Sequence, residues 1–438
     1  MTGRKQKAAR VTLPDALALP HVVEAIATCL RDQKDFSSFL YAVPHSLWTP
    51  ALTAILDCAT AMPSTVSTNW PRIELRSMEL PPSILTLLAA TLPLRPRIEL
   101  RCPIRQAAPL ASLVAVVGPA LSSVFLCFHR GHMVGGGGQV ISDLLLQRSW
   151  LSTAPATKLR LANVAQMDHD GAIAFCDALQ AKSTLQELAI SHVPSLGGFH
   201  GRTLPVSLKT LEWNSNYSGH VDPATMTDLA TAVGATQLER LECSVFGQLA
   251  TCPAAAPMLL QLQSLTVSGL QANHMKALID GLSSVPALTS LELCNCFLLL
   301  STELLMKTLA TTCVHLETLQ LWDCDDLTQR EAAVLSGTLD LPRLTSLTMA
   351  IRLSPMLDVL PELVAAGRQL RTLHLETSDD GEEHGDADED KLALCRALAL
   401  IQSVPFVVEA LPEDTDAFVV DALGPRADSG DRCRLLFT

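Results

Sequence analysis

The sequence predicts an α/β solenoid, a stack of strand–turn–helix units with parallel strands on one face and helices on the other. Three observations predict it. A frame Leu-x-x-Leu-x-Leu returns along the chain, at or near Lys158, Leu185, Leu208, Leu238, Leu262, Leu288, Leu316, Leu344 and Leu370, at intervals of 23 to 30 residues. The hexapeptide Pro-Arg-Ile-Glu-Leu-Arg occurs at 71–76 and again at 96–101, an identical phrase at a repeat-like distance. Between the frames lie helical stripes such as Ala172, Phe175, Cys176, Leu179 and Met275, Leu278, Ile279, Leu282, with Leu304, Leu305, Thr308, Leu309 as a third. No single unit buries its own apolar face, so each must bury it on the next.

The N-terminal part reads differently. Residues 1–10 form a basic tail with Arg4, Lys5, Lys7 and Arg10. Residues 11–60 read as three short amphipathic helices: Val22, Val23, Ile26 and Leu30 on one; Phe36, Phe39, Leu40 and Val43 on a second capped by Asp35 and closed by Pro44; Trp48, Leu52, Ile55 and Leu56 on a third. From 61 to 438 the solenoid follows. The strand Trp70 to Arg76, the helix Leu80 to Leu92 and the strand Pro96 to Arg101 open it. Gln106 to Phe128 carries no charge and is long enough to imitate a membrane span. The repeat frame reads it instead as a buried helix, Pro109 to Val117, a turn at Gly118-Pro119, and a strand, Leu121 to Phe128. A glycine-rich loop and a helix Val140 to Leu146 come next. Near the end, the acidic run 379–390 interrupts the repeat before a helix Leu392 to Ile401 and two closing strands, Val404 to Ala410 and Arg434 to Phe437. That run reads as a solvated loop or as an acidic docking loop.

Composition narrows the function. A net charge of −13 opposes non-specific binding to nucleic acid. Aromatic residues are only 4%, so leucine and alanine must fill the core. Thirteen cysteines, an odd number without a CxxC pair, and the absence of a signal-peptide pattern lead us to expect a reduced compartment, cytoplasmic or nuclear.

The candidate chemical motifs are weak. Glycines 135–138 lack the Lys-Ser or Lys-Thr of a phosphate loop. His129 and His132 have no zinc-type partners at standard spacing. Asp168-His169-Asp170 precedes a helix, where Asp is an ordinary cap. Cys296 is expected to point inward at a turn, with Cys294 left on the strand face. No catalytic residue, cofactor or metal is expected.

Period-two alternation sends the residues between the leucines out of the sheet. The candidate partner-binding positions are therefore Arg76, Arg101 and Arg160 early on, then Glu212, Glu242, Glu292, Gln320, Trp322 and His374. Arg72, Arg97 and Lys158 share the early face, while Trp213 falls on a core position. The face is richer in base at its start and in acid further on.

The segment Leu316-Glu317-Thr318-Leu319-Gln320-Leu321-Trp322-Asp323-Cys324, with Leu288 to Cys296 as a second copy, resembles the cysteine-containing leucine-rich repeats. The resemblance covers about Trp70 to Glu376. It implies a ribonuclease-inhibitor-like horseshoe with parallel strands on the concave face, helices outside, and a protein ligand on the concave side. Leu19-Pro20 followed by Val23, Ile26, Leu30, Asp35-Phe36, Phe39 and Trp48 resembles an F-box, with Leu47-Trp48 standing in place of the family's Arg-Trp. The F-box resemblance implies binding of a ubiquitin-ligase adaptor through Leu19, Pro20, Val23, Ile26 and Phe36, and a substrate receptor of a cullin-type ligase. The same helices read equally as a cap on a stand-alone repeat scaffold. A third reading is a GTPase activator resembling the Ran GTPase-activating proteins, which share the horseshoe and an acidic tail; it needs a positioned arginine at a repeat edge, and the sequence singles none out.

Overall fold

In the computed structural model, the structure describes residues 19–64, 66–102, 107–127, 156–162, 169–191, 200–214, 223–298, 301–322, 334, 341–351, 370–377, 406–410 and 433–437. The chain divides into two compact units, Met1–Ala162 and Asn163–Thr438.

The first unit opens with helices α1 (Pro20–Cys29), α2 (Gln33–Ala42) and α3 (Pro50–Ala61). Proline in the first turn starts α1 and α3, where its missing N–H costs nothing. Thr49 Oγ1 accepts the Leu52 N–H to cap α3. The cap of α2 is Asp32 rather than Asp35: its carboxylate accepts from the N–H of Lys34 at 2.7 Å and of Asp35 at 3.2 Å. Asp35 itself lies in the first turn, where its negative charge suits the helix dipole. The buried face of α1 is Val23 and Ala27, with Val22, Ile26 and Leu30 less completely covered.

Four parallel strands and one antiparallel partner follow: β1 (Val66–Asn69), β2 (Arg72–Leu75), β3 (Arg97–Leu100), β4 (Leu121–Cys127) and β5 (Lys158–Ala162). Strand β1 has no counterpart in the sequence expectation, which runs Trp70 into the strand after it. Trp70-Pro71, a cis peptide, is instead the turn of a β1–β2 hairpin. The Trp70 ring is buried at 3% exposure and stacks on Phe36 with centroids 4.4 Å apart. Its Nε1–H donates to the Leu30 carbonyl at 2.8 Å, and its backbone N–H donates to Gln33 Oε1. This one side chain ties the N-terminal helices to the first strand pair. Helices α4 (Pro82–Thr91) and α5 (Ala107–Val117) cover the sheet behind, with α3 packed on α4. The uncharged 106–128 stretch thus splits into α5 and β4 as the repeat frame requires. Among the described residues no helix is long and apolar enough to cross a membrane.

The second unit runs β6 (Glu187–Ser191), β7 (Thr210–Asn214), β8 (Arg240–Cys243), β9 (Ser264–Ser268), β10 (Ser290–Cys294), β11 (Thr318–Trp322), β12 (Ser346–Ile351) and β13 (Thr372–Thr377), each parallel to the next in chain order. The frame leucine stands two residues ahead of its strand, buried in the entry turn: Leu262, Leu288, Leu316 and Leu344 are at most 1% exposed. Beyond β13 the order changes. Strand β15 (Cys433–Phe437) pairs with β13, and β14 (Phe406–Ala410) pairs with the far side of β15. This is a parallel leucine-rich-repeat solenoid architecture, as the frame predicts.

Helices α6 (His169–Gln180), α7 (Pro223–Gly234), α10 (Ala272–Leu282) and α11 (Thr302–Thr312) back these strands. Between β8 and β9 the helical layer breaks into two short pieces, α8 (Phe246–Ala250) and α9 (Ala256–Leu259), with Pro253 between them and Pro257 within the second. Gly247 of α8 lies so close to α10 that a Cβ there would stand 2.6 Å from the Ala277 carbonyl carbon. In α11 the buried stripe is Thr302, Leu305, Met306 and Leu309, whereas Leu304, expected inside, is 48% exposed. The glycine-rich loop, the expected helices at 140–146 and 392–401, and the acidic run 379–390 lie outside the described residues.

Candidate binding surface

Strand β11 shows how the frame builds a surface. Leu316, Leu319 and Leu321 are buried to 1% or less, and Thr318, Gln320 and Trp322 alternate outward, half-buried. Neighbouring strands hold the same register, so alternate strand positions line up in rows across the second unit. One row is Glu187, Thr210, Arg240, Ser264, Ser290, Thr318, Ser346 and Thr372. The next is Ala189, Glu212, Glu242, Thr266, Glu292, Gln320, Thr348 and His374. Ser268, Cys294 and Trp322 begin a third. The register thus brings Glu212, Glu242, Glu292, Gln320 and His374 into one row and sets Trp322 beside it. Sequence reasoning names the acids and Trp322 but passes over the hydroxyls. Their signal is present: Ser and Thr recur at the first outward position of most frames.

Within these rows Glu292 accepts from Thr266 Oγ1 at 3.1 Å and from the Cys294 thiol at 3.5 Å. Trp322 Nε1–H points to Gln320 Oε1 at 3.4 Å. The strand exits are equally regular. Gly269 and Asn295 take the same place in successive repeats, with φ of +69° and +50°. The Gly269 N–H donates to the Cys294 carbonyl and the Asn295 N–H to the Trp322 carbonyl. A left-handed residue is needed there, which glycine and asparagine supply most cheaply. The chain then turns Leu270 and Cys296 inward. The Cys296 thiol, 2% exposed, reaches the carbonyls of Val267 and Cys294 at 3.5 and 3.4 Å. Cys294 stays half-buried on the strand face, as expected, and Trp213 is a core residue. Cys324 lies outside the described residues.

The first unit presents another kind of face. Arg72 stands opposite Arg97 and Glu74 opposite Glu99. Arg101 reaches both carboxylates, at 3.5 Å to Glu74 and 3.3 Å to Glu99, and Arg76 lies 3.8 Å from Glu74. Glu99 is 8% exposed, while the side chains of Arg76 and Arg101 are more than half exposed. Beyond them, register sets Ser123 against Lys158 and Phe125 against Arg160.

The N-terminal candidates separate. Leu19, Pro20 and Val23 head α1, but only the first two are exposed. Val23 at 2% and Phe36 at 3% are inside the unit's own core, with Ile26 between these extremes.

Burial pushes the Cys243 and Cys176 thiols up to about 12 and the Cys58 thiol, with help from Asp57, to about 11. Burial raises Cys296 and Cys313 as well. A thiol held protonated is a poor nucleophile and a poor metal ligand. No three His, Cys, Asp or Glu side chains gather as a metal site among the described residues. Helix α6 begins at His169, and Asp168, His129 and His132 lie outside the described residues.

No family model and no curated protein matches the chain. Solved structures similar to it include the leucine-rich-repeat-containing protein LegL7 from Legionella pneumophila, at 16% identity over 75% of this chain and 97% of that one, with a TM-score of 0.43. The yeast Rad7–Elc1 complex is similar at 13% identity over 83% of this chain and 91% of that one, with a TM-score of 0.49.

Proposed function

We propose that the chain is a protein-interaction module, in which outward rows of the strand sheet hold a protein partner and the N-terminal helices form an F-box-like head that docks the adaptor of a cullin-type ubiquitin ligase. A cytoplasmic or nuclear location goes with that reading. The observation that carries the module is the in-register strand face of β6 to β13. On β9 to β11 its outward positions are half-buried and do not fill the core, and it sets Trp322 among serine, threonine, glutamate and glutamine. Aromatic side chains with polar surroundings are common anchors of protein interfaces.

For the head, the exposed Leu19-Pro20 entrance to α1 offers the adaptor a contact, while Val23 and Phe36 shape it from within. A second reading has its own observation. Phe36 and Leu30 are engaged by Trp70, so the three helices seal the β1–β2 end of the first unit as a cap. Binding of the purified adaptor to the full chain separates the two. Retention on wild type and loss with Leu19→Asp is the expected result. No retention on wild type leaves the head a cap. For the module, affinity purification should recover partner proteins with wild type and fewer with Trp322→Ala. Recovery unchanged by that substitution moves the interface off β11.

A further inference from the structure

The first unit's strand face carries an alternating charge grid that its own residues only half neutralise. Along β2 and its exit the outward residues read Arg72, Glu74, Arg76, and along β3 and its exit they read Arg97, Glu99, Arg101. The identical hexapeptides are therefore not only sequential copies. They stand side by side in register, so each charge faces its like: Arg72 opposite Arg97, Glu74 opposite Glu99. Strands lie about 4.8 Å apart, and like charges directly opposite repel. The glutamate pair is relieved by Arg101, which touches both carboxylates, and by Arg76. The Arg72–Arg97 pair is not relieved. Both are exposed, and neither has an ion-pair partner among the described residues. A locally basic face stands out in a chain of net charge −13.

Two neighbouring guanidinium forks are suited to carboxylate oxygens. The grid also sets the spacing. Arg72 and Arg76 are four residues apart along the chain, about 13 Å at roughly 3.3 Å per residue. An extended peptide lying along the strands presents its residues i, i+2 and i+4 on one face at the same pitch. We infer that this face docks an extended segment of a partner protein bearing acidic residues at i and i+4 and a basic residue at i+2. The outer acids meet the exposed Arg72–Arg97 pair and the exposed forks of Arg76 and Arg101, and the central base meets Glu74, because Glu99 beside it is 8% exposed and closed off. An all-acidic segment would set its middle carboxylate against two glutamates. The inference rests on the interaction reading above and names the chemistry of one partner.

The test is fluorescence anisotropy with the full chain and three labelled peptides of equal length: Glu-x-Lys-x-Glu, Glu-x-Glu-x-Glu and Lys-x-Glu-x-Lys, with x serine. The expected order of affinity is that order. Arg72→Ala with Arg97→Ala should weaken the first peptide by about tenfold or more. Binding should also weaken as salt rises. Arg72→Glu with Arg97→Glu should weaken it further, and the alanine pair decides if the glutamate pair does not fold. Equal affinity for the three peptides, the reverse order, or no loss with the alanine pair overturns the inference. Failure here is distinct from failure of the interaction reading. Proteins recovered by wild type and lost with Trp322→Ala leave that reading standing without this face, whereas wild type that recovers no protein removes that reading whatever the peptides do.

Discussion

The two units are built on one frame and present different faces. In the first, β2 and β3 place Ile73, Leu75, Ile98 and Leu100 inside at no more than 1% exposure, and the outward positions are arginine and glutamate in like-facing pairs. In the second, β9 to β11 place Leu265, Val267, Leu291, Leu293, Leu319 and Leu321 inside as deeply, and the outward positions are serine, threonine, glutamate, glutamine, cysteine and tryptophan. The inward half of each strand answers to packing, which admits apolar side chains, most of them branched. The outward half is left free of that demand. The difference between the faces is therefore a difference in what each can hold.

The sharpest way to break that comparison is to strike the frame in both units. Ile98→Asp and Leu291→Asp each bury an unpaired carboxylate and should each cost several kcal/mol. Thermal unfolding followed by circular dichroism should show a loss in both variants. Loss in one alone would mean that the frame does not carry both units equally. A smaller effect comes from Gly247→Val, which forces side-chain atoms into the α8–α10 backbone contact. It should cost about 1–3 kcal/mol and lower the unfolding transition of the second unit while leaving the first unchanged.

The buried thiols supply a third test. Unfolded thiols ionise near 9, and Cys58, Cys176 and Cys243 resist ionisation until about 11 to 12 when folded. Their folded values are raised, so the stability they contribute is complete below about 9 and is lost as pH climbs from there toward about 12. Urea midpoints should fall between about pH 8 and pH 10.5. Cys243→Ala should flatten that fall by on the order of 1 kcal/mol, and an unchanged slope would place the alkaline sensitivity elsewhere. The smallest effect on the fold belongs to Trp322→Ala. Its melting temperature should stay close to wild type while partner recovery falls, and a large drop in melting temperature would make Trp322 a packing residue.

Much of this was legible because the frame has a strict period. Leu316, Leu319 and Leu321 fix inward from outward, and register in a repeat follows from the frame alone, so the row containing Glu242, Glu292 and Gln320 is implicit in the sequence. Local signals competed less clearly. Val66-Ser67-Thr68-Asn69 has no apolar alternation, and β1 forms where β2 offers its edge and α3 packs against it, with Val66 buried. Asp32 and Asp35 are both good caps, and the chain uses the earlier. Leu304 and Met306 lie two apart on α11, and a helical stripe allows either to face inward until the neighbouring helix decides. The relief of Glu74 and Glu99 by Arg101 needed two strands side by side. What the faces bind is not written in the frame, because the frame constrains only the inward residues.

The β13-β15-β14 order carries a consequence for synthesis. Each strand from β7 to β13 finds its neighbour among residues already made, so the stack can grow as the chain leaves the ribosome. Strand β14 cannot follow that rule, because the edge it joins belongs to β15, and translation must run on from Ala410 to Cys433 before that edge exists. The outermost rung of the sheet is thus made before the rung beneath it and can be seated only after it.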